Sequence, residues 1–497
     1  MSSSAYETIE NRFREISLMG EIIEALSWDQ EVYMAEGSVE SRAAQLAWLS
    51  GRAHELLTRP DWEDLLGEAD THSDSLTPWQ QANLREARRE WIHAATLPGK
   101  LVEALTLATS RGEVAWRNAR EEDDFSIFVT HLKKILELTR ETAFLKADAL
   151  DTTPYNALVD QFQPGLTTHT IDLVFDSLKD FLPGFLVEVQ YAQNIPKDDI
   201  PFKKRYSEKK QEELSLRIMD IMGFDFNRGR LDISAHPFTT GHPLDTRITT
   251  TYREHDPLFA LTATIHETGH ALYELNRPLE WRLQPVGYAR GMVVHEAMSL
   301  FMEKMVALTP EFIQFITPVM QKVFGDFTEL SFEHLYQFTR QVQPGYIRIE
   351  ADEVIYPLHV ILRYELEQLL LEDRLKVEDV PEAWDDRMND YLGIRPPGNA
   401  KGCLQDIHWS HGAFGYFPCY TLGAVLASQL FVDLNQEYST TSIDIQQGRF
   451  AGIVDWLKER IYEKASLLPF EDLVHTVSGQ SISAEPFIKY LRERYSV

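Results

Sequence analysis

His266 and His270 stand four residues apart, with Glu267 between them. On a helix this spacing puts both imidazoles on one face, a turn apart, where they can share one metal ion. Glu267 then sits beside the open coordination position. A metal there lowers the pKa of its bound water to about 7, and a neighbouring carboxylate can take the proton. This is the pattern of metal-assisted peptide hydrolysis. The plain alternative is a helix with two solvent-facing histidines. A five-residue pattern with two free positions does not decide between them.

The local sequence predicts the helix. Asp256 suits an N-cap and Pro257 the first helical position. Leu258, Leu261, Ile265, Leu272 and Leu275 then recur at helical spacing and form one buried stripe. His266 and His270 lie about 120 to 160° round from its centre, on the opposite side. Gly269 falls near the stripe, where a missing side chain lets another backbone come close.

A catalytic site of this kind needs a third protein ligand. Glu296 is the best placed, in Gly291-Met292-Val293-Val294-His295-Glu296-Ala297-Met298-Ser299-Leu300. Val293, Ala297, Leu300, Phe301 and Leu308 make a helical stripe, and Glu296 borders it, about 40° round from Leu300. A carboxylate at the edge of an apolar face needs a partner if buried. A metal ion would be one; an arginine of the core, or water, would be another. His295 points elsewhere, either supporting the site from outside the ligand set or exposed.

With these residues in view, the chain resembles the carboxypeptidase Taq family of thermostable metallocarboxypeptidases. His236-Pro237-Phe238-Thr239 resembles the family's His-Pro-Phe motif, and Asp245-Thr246-Arg247-Ile248-Thr249 its Asp-x-Arg-x-Thr. His266 to His270 is the zinc motif. His295-Glu296-Ala297-Met298-Ser299 sits where the family has His-Glu-Ser-Gln-Ser. Ile347-Arg348-Ile349-Glu350-Ala351-Asp352 and Gly402-Cys403-Leu404-Gln405-Asp406-Ile407-His408-Trp409 follow in order. Weaker similarity at Trp28-Asp29 and Pro164-Gly165 extends the resemblance over nearly the whole chain. One departure is visible: Ala297 and Met298 replace the usual Ser and Gln, removing polar groups beside the metal ligand. Such outer partners matter roughly 10–100-fold in affinity or activity.

The resemblance and the chemistry together imply roles. His266, His270 and Glu296 would hold zinc, with cobalt a chemically acceptable substitute. Glu267 would be the general base and later the proton donor to the leaving amine. Oxyanion donors are expected in His408 and Tyr420, with Tyr416 the substitute for Tyr420. The free C-terminal carboxylate of the substrate calls for a guanidinium, Arg348 first and Arg247 second. Either could instead form a structural pair, Arg348 with Asp352 or Arg247 with Asp245. His236 would contact the substrate backbone, and Pro237 would fix the turn beside it. Gln405 and Asp406 would orient His408 or the metal shell. The family also implies broad specificity that disfavours proline, and a homodimer.

Composition sets outer limits. The chain has 497 residues, of which 44% are hydrophobic, enough for a substantial core. Lys plus Arg is 48 and Asp plus Glu is 77, a net charge of −29. That repels nucleic acid and anionic membrane surfaces. No apolar run approaches the roughly 18 residues a membrane span needs. The start, Met1 to Glu7, has neither a basic n-region nor an apolar h-region. Cys403 and Cys419 are the only cysteines, so the expectation is a cytoplasmic protein without structural disulfides. Cys403, His408, His411 and Cys419 fit no standard zinc module.

Around these motifs the pattern is mostly helical. Residues 1–150 are rich in Glu, Ala, Leu and Arg at helical spacing, as in Tyr6 to Ala25 and Asp124 to Leu150. A further amphipathic helix is expected to end near Pro183-Gly184. Residues 228–255 turn β-branched, with Leu231 to Ser234 and Arg247 to Tyr252 flanking Gly241-His242-Pro243. The predicted architecture is mainly α: a large helical body with a deep cleft and a small antiparallel sheet beside the zinc helix. Residues 1–497 are expected to form a single domain, or two lobes flanking a cleft. The expected reaction is release of single C-terminal amino acids from peptides. An oligopeptidase or dipeptidyl carboxypeptidase of the same architecture is the nearest rival, and a peptide-binding homologue or a metal-free scaffold the rival from another class.

Overall fold

The computed structural model describes residues 4–193, 202–325 and 327–495. Met1 to Ser3, part of the stretch Met1 to Glu7, lie outside them. The described chain is dominated by helices, with one three-stranded sheet. It divides into two compact units, each assembled from separated stretches. The first is Met1–Ala94, Asp198–Thr339 and Ala427–Ser481. The second is Ala95–Lys197, Arg340–Leu426 and Ile482–Val497.

The first unit opens on the helix Ala5–Val32, started by a capping box in which Ser4 and Glu7 each accept the other's backbone N–H. Tyr6, Ile9 and Phe13 on its inner face pack with Trp62, Leu66 and Leu84. The sheet comprises β1 (Gly229–Ile233), β2 (Phe238–His242) and β3 (Asp245–Thr250) in the order β1-β3-β2. β2 and β3 form an antiparallel hairpin, but β1 pairs with β3 in parallel. The sheet is therefore mixed rather than antiparallel. Two turns separate β1 from β3 because residues 238–242 form a strand of their own. After both reversals β1 and β3 run the same way, and β1 takes the far edge of β3.

The helix Pro257–Asn276 packs on this sheet. Asp256 caps it by accepting the Phe259 N–H at 3.1 Å, and Pro257 occupies its first turn. All five residues of its predicted stripe are buried. Ala271 and Leu275 cluster with Ile248 of β3 and with Met219 and Phe224. The next long segment begins at Gly291, whose φ of +108° lies in the region glycine favours. It runs as the α-helix Met292–Leu300 and continues as a π-helical turn, Phe301–Val306. A Cβ on Gly269 would stand 2.5 Å from the Met298 carbonyl oxygen and 2.6 Å from the Ser299 Cα. The missing side chain is what lets these two helices touch.

In the second unit the helix Thr168–Gln193 runs through Pro183 rather than ending there. Its buried face, including Leu178, Leu182, Phe185, Leu186 and Val189, continues on both sides of the proline. That packing outweighs one lost backbone hydrogen bond. The C-terminal helix Glu485–Tyr495 is tied down at Glu353, which accepts the Tyr490 hydroxyl at 2.8 Å and the Tyr495 hydroxyl at 2.9 Å. Arg494 pairs with the same carboxylate. Among the described residues no helix is long and apolar enough to cross a membrane.

Candidate active site

In the first unit the predicted donor set converges. One ligand atom each from His266, His270 and Glu296 lie within 4.8 Å of one another. Glu296 Oε2 is 3.4 Å from His270 Nε2 and 3.9 Å from His266 Nε2. The side chains are partly accessible, 22% for His266, 12% for His270 and 15% for Glu296. Two imidazole nitrogens and a carboxylate oxygen facing one point suit a tetrahedral divalent metal with one position left open. Glu296 has further support from Ser299, whose hydroxyl lies 2.7 Å from the Glu296 carbonyl and 3.4 Å from its carboxylate.

Each histidine is held from behind, in a different way. His266 Nδ1 lies 2.8 Å from Glu303 Oε2, in the π-helical turn. The other oxygen of Glu303 accepts Lys304 Nζ at 2.6 Å. His270 Nδ1 is buried without a hydrogen-bond partner. Its ring stacks instead on His295, centroids 4.5 Å apart and planes 26° apart. His295 Nε2 in turn bonds Glu274 at 2.8 Å, and Arg277 closes on the same carboxylate. Of the two readings of His295, the structure has the supporting one: it packs on a ligand ring rather than standing exposed. Ala297 and Met298 are fully buried. The polar support beside Glu296 comes from Ser299 in their place.

The charges are distributed accordingly. Burial works against a charge on His266, but the Glu303 hydrogen bond and the fields of Glu296 and Glu303 outweigh it and raise its pKa to about 9. Burial, then the neighbouring His295, lowers that of His270. Burial would raise Glu303, yet Lys304 and His266 bring it down to about 2. Without metal these carboxylates favour a proton on His266, while His270 is held toward the neutral form.

Glu267 is buried and held by β2. The Thr239 hydroxyl lies 2.7 Å from Glu267 Oε2 and 2.9 Å from the Glu267 carbonyl oxygen. This gives the residue after His-Pro-Phe a task that motif reading left blank. His236 is exposed in the turn between β1 and β2. Arg247 spends its guanidinium on Asp245, through Nε at 3.0 Å and Nη2 at 2.6 Å, and stacks over Trp28 at 4.2 Å. The structural pairing is the one present.

In the second unit Arg348 also has a partner, but not Asp352. Its Nε and Nη2 donate to Asp406 Oδ1 at 3.1 and 2.8 Å, and Nη1 donates to the Tyr356 hydroxyl at 2.8 Å. Asp352 instead accepts backbone N–H groups of Gln343, Val354 and Ile355. Arg363 binds the other oxygen of Asp406 at 2.7 Å. One carboxylate between two buried guanidiniums leaves a net positive charge. Gln405 braces the same segment, accepting the Arg348 N–H at 2.8 Å and donating to the Tyr346 carbonyl at 2.9 Å. Gln405 thus orients Arg348 rather than His408.

His408 Nε2 lies 3.3 Å from the Tyr420 hydroxyl, and the Arg348 guanidinium sits 4.8 Å from the Tyr420 ring centre. Tyr416 packs edge-on against Tyr420. Burial lowers the pKa of His408 to about 4; Asp406 opposes the shift, and Arg348 and Arg363 add to it. Trp409 anchors the loop: its Nε1 donates to Glu367 at 2.9 Å, and Glu367 also accepts the Tyr155 hydroxyl and the Gly415 N–H. Cys403 and Cys419 are buried free thiols. Cys403, His408, His411 and Cys419 are not among the groups that could share a metal in the described residues.

A helical body with His-Glu-x-x-His on one helix and a converging glutamate from the next defines a metallopeptidase. The comparisons narrow the class. The sequence pattern of carboxypeptidase Taq (M32) metallopeptidases matches residues 8–495, and the chain belongs to that family. It is 33% identical to thermostable carboxypeptidase 1 of Pyrococcus furiosus over 494 residues, 98% of each chain. It is 32% identical to carboxypeptidase 1 of Bacillus subtilis, covering 97% of this chain and 96% of that one. Among solved structures, metallocarboxypeptidase 1 of Trypanosoma cruzi superimposes with a TM-score of 0.96 at 37% identity, over 99% of both chains.

Proposed function

We propose that this metallocarboxypeptidase is a zinc enzyme that removes one C-terminal amino acid at a time from peptides, with broad specificity. The observation that carries the reading is the convergence of His266, His270 and Glu296 beside a buried, oriented Glu267. Zinc fits two imidazoles and one carboxylate, and cobalt fits the same donors. When bound, the metal supplies Lewis acidity, polarising the scissile carbonyl and making water acidic near neutral pH.

The remaining work falls to the chain. Glu267 accepts a proton from the attacking water and passes it to the leaving amine. Thr239 holds the carboxylate in position, so that it does not have to be ordered during the reaction. Tyr420 is the proposed donor to the developing oxyanion, with His408 beside it as a neutral imidazole. Tyr416 is the substitute. For the terminal carboxylate of the substrate, Arg348 remains the first choice and Arg247 the second. Both are paired in the structure, so binding would draw on the net positive charge of the Arg348–Asp406–Arg363 group, or exchange Asp245 for substrate at Arg247. Separate Arg348→Met and Arg247→Met variants distinguish them. The one that binds the carboxylate raises KM for a blocked dipeptide but not for the same dipeptide amidated at its C-terminus. His236, exposed at the edge of the sheet, is assigned to the substrate backbone, and His236→Ala should raise KM; an unchanged KM removes it from the site.

The homodimer is carried over from the resemblance, and light scattering on the eluting protein tests it; a monomer mass would reject it. A cytoplasmic location agrees with two buried free thiols, and cell fractionation that placed the protein outside the cytoplasm would overturn it. For the metal reading, chelation should abolish release of free amino acid from a blocked dipeptide, and one equivalent of zinc or cobalt should restore it. Activity that survives complete metal removal would refute the proposal.

A further inference from the structure

Glu303 lies outside every motif by which the sequence marks the site, seven residues beyond Glu296. Three observations point to it. It is partly buried, with 14% of its side chain exposed. It sits in the π-helical turn Phe301–Val306, and such turns mark departures from regular helix that are frequent at functional sites. Its Oε2 is 2.8 Å from His266 Nδ1, while Nε2 of the same ring faces Glu296.

We infer that Glu303 is a positioning residue for the metal centre, acting through His266; this rests on the zinc reading above. A carboxylate can only accept, so the hydrogen between them belongs to His266 Nδ1. That fixes the neutral ring in the tautomer whose lone pair is on Nε2, the nitrogen turned toward the ligand cluster. It also fixes the ring plane and makes Nε2 a stronger donor. Lys304 holds the other oxygen of Glu303, so the carboxylate keeps its orientation. His270 has no such partner on Nδ1 and is held by packing against His295. The two histidines are therefore unequal, and the oriented one depends on a residue two helical turns from the third ligand.

The experiment is zinc affinity by competition with a chromophoric chelator, for the wild type, Glu303→Gln, Lys304→Met and His270→Ala. The near-isosteric glutamine keeps the volume and removes the charge. Affinity in Glu303→Gln should fall roughly 10–100-fold, with the far-UV circular dichroism spectrum of the metal-free protein unchanged. The visible spectrum of the cobalt form should change with it. Lys304→Met keeps the His266 bond and should lose clearly less affinity than Glu303→Gln. If Glu303→Gln binds zinc as tightly as wild type, the inference is wrong and the metal reading stands. It is equally wrong if Lys304→Met loses as much affinity as Glu303→Gln, since the ion pair rather than His266 would then be what matters. A wild type that binds no more zinc than His270→Ala would instead overturn the metal reading itself.

Discussion

Replacing Glu267 by glutamine removes basicity while leaving an oxygen that can accept from Thr239. If Glu267 moves the protons, kcat should fall about 10²–10⁴-fold with metal content unchanged. Activity within a few-fold of wild type would remove it from the base role. His266 leads to a second expectation. Its pKa, about 9 without metal, means that binding at pH 7 must displace a proton. Zinc uptake should therefore release close to one proton, and affinity should weaken up to tenfold per unit as pH falls below about 9. Calorimetry in buffers of different ionisation enthalpy measures the proton count, and a count near zero would contradict this assignment. His408 differs in sign. Its folded pKa of about 4 lies below the ordinary value near 6.5, so between those values the unfolded chain binds more protons. Its stabilising share is present above about pH 6.5 and is lost as pH falls toward 4. Denaturant midpoints of wild type and His408→Gln should converge over that window; a constant difference would show that His408 is not held neutral. At this scale the sequence exposed His266, Glu267 and His270 because their spacing is local, and Glu296 through the apolar stripe it borders. It hid the contacts of Thr239 and Glu303: Thr239 closes the His-Pro-Phe stretch but meets Glu267 from another element, and Glu303 belongs to no short pattern.

The helix Pro257–Asn276 was legible from Asp256 to Asn276, since cap, proline and apolar stripe agreed with one another. The sheet was legible as strands but not as pairings. β-branched residues mark where strands run, whereas the parallel match of Gly229 with Thr246 depends on residues 238–242 forming a strand between them. Pro183 misled for a related reason. A proline ends a helix on local grounds, but buried residues on both sides of it carry Thr168–Gln193 through. Gly269 is where one element sets the geometry of another. An alanine there would collide with the backbone at Met298 and Ser299. Gly269→Ala should destabilise the protein by about 1–3 kcal/mol and push the helix bearing Glu296 outward. Zinc affinity should fall in the part that remains folded. An alanine variant with wild-type stability and affinity would show that the contact has slack.

For the whole molecule, motif order between residues 236 and 409 was enough to place the family, and comparison over nearly the full length bears it out. What sequence order concealed is that each compact unit is built from stretches far apart in the chain. The first unit leaves off at Ala94 and returns only after a long stretch of the second; such returns depend on tertiary packing. The central claim is that this fold removes single residues from the C-terminus through metal chemistry based on Glu267. The direct measurement is mass spectrometry of an N-blocked peptide incubated with zinc-loaded wild type and with Glu267→Gln. The predicted result is a ladder shortened one residue at a time from the C-terminus, absent with Glu267→Gln. Dipeptide steps, internal cuts, or an unchanged ladder in the variant would contradict it.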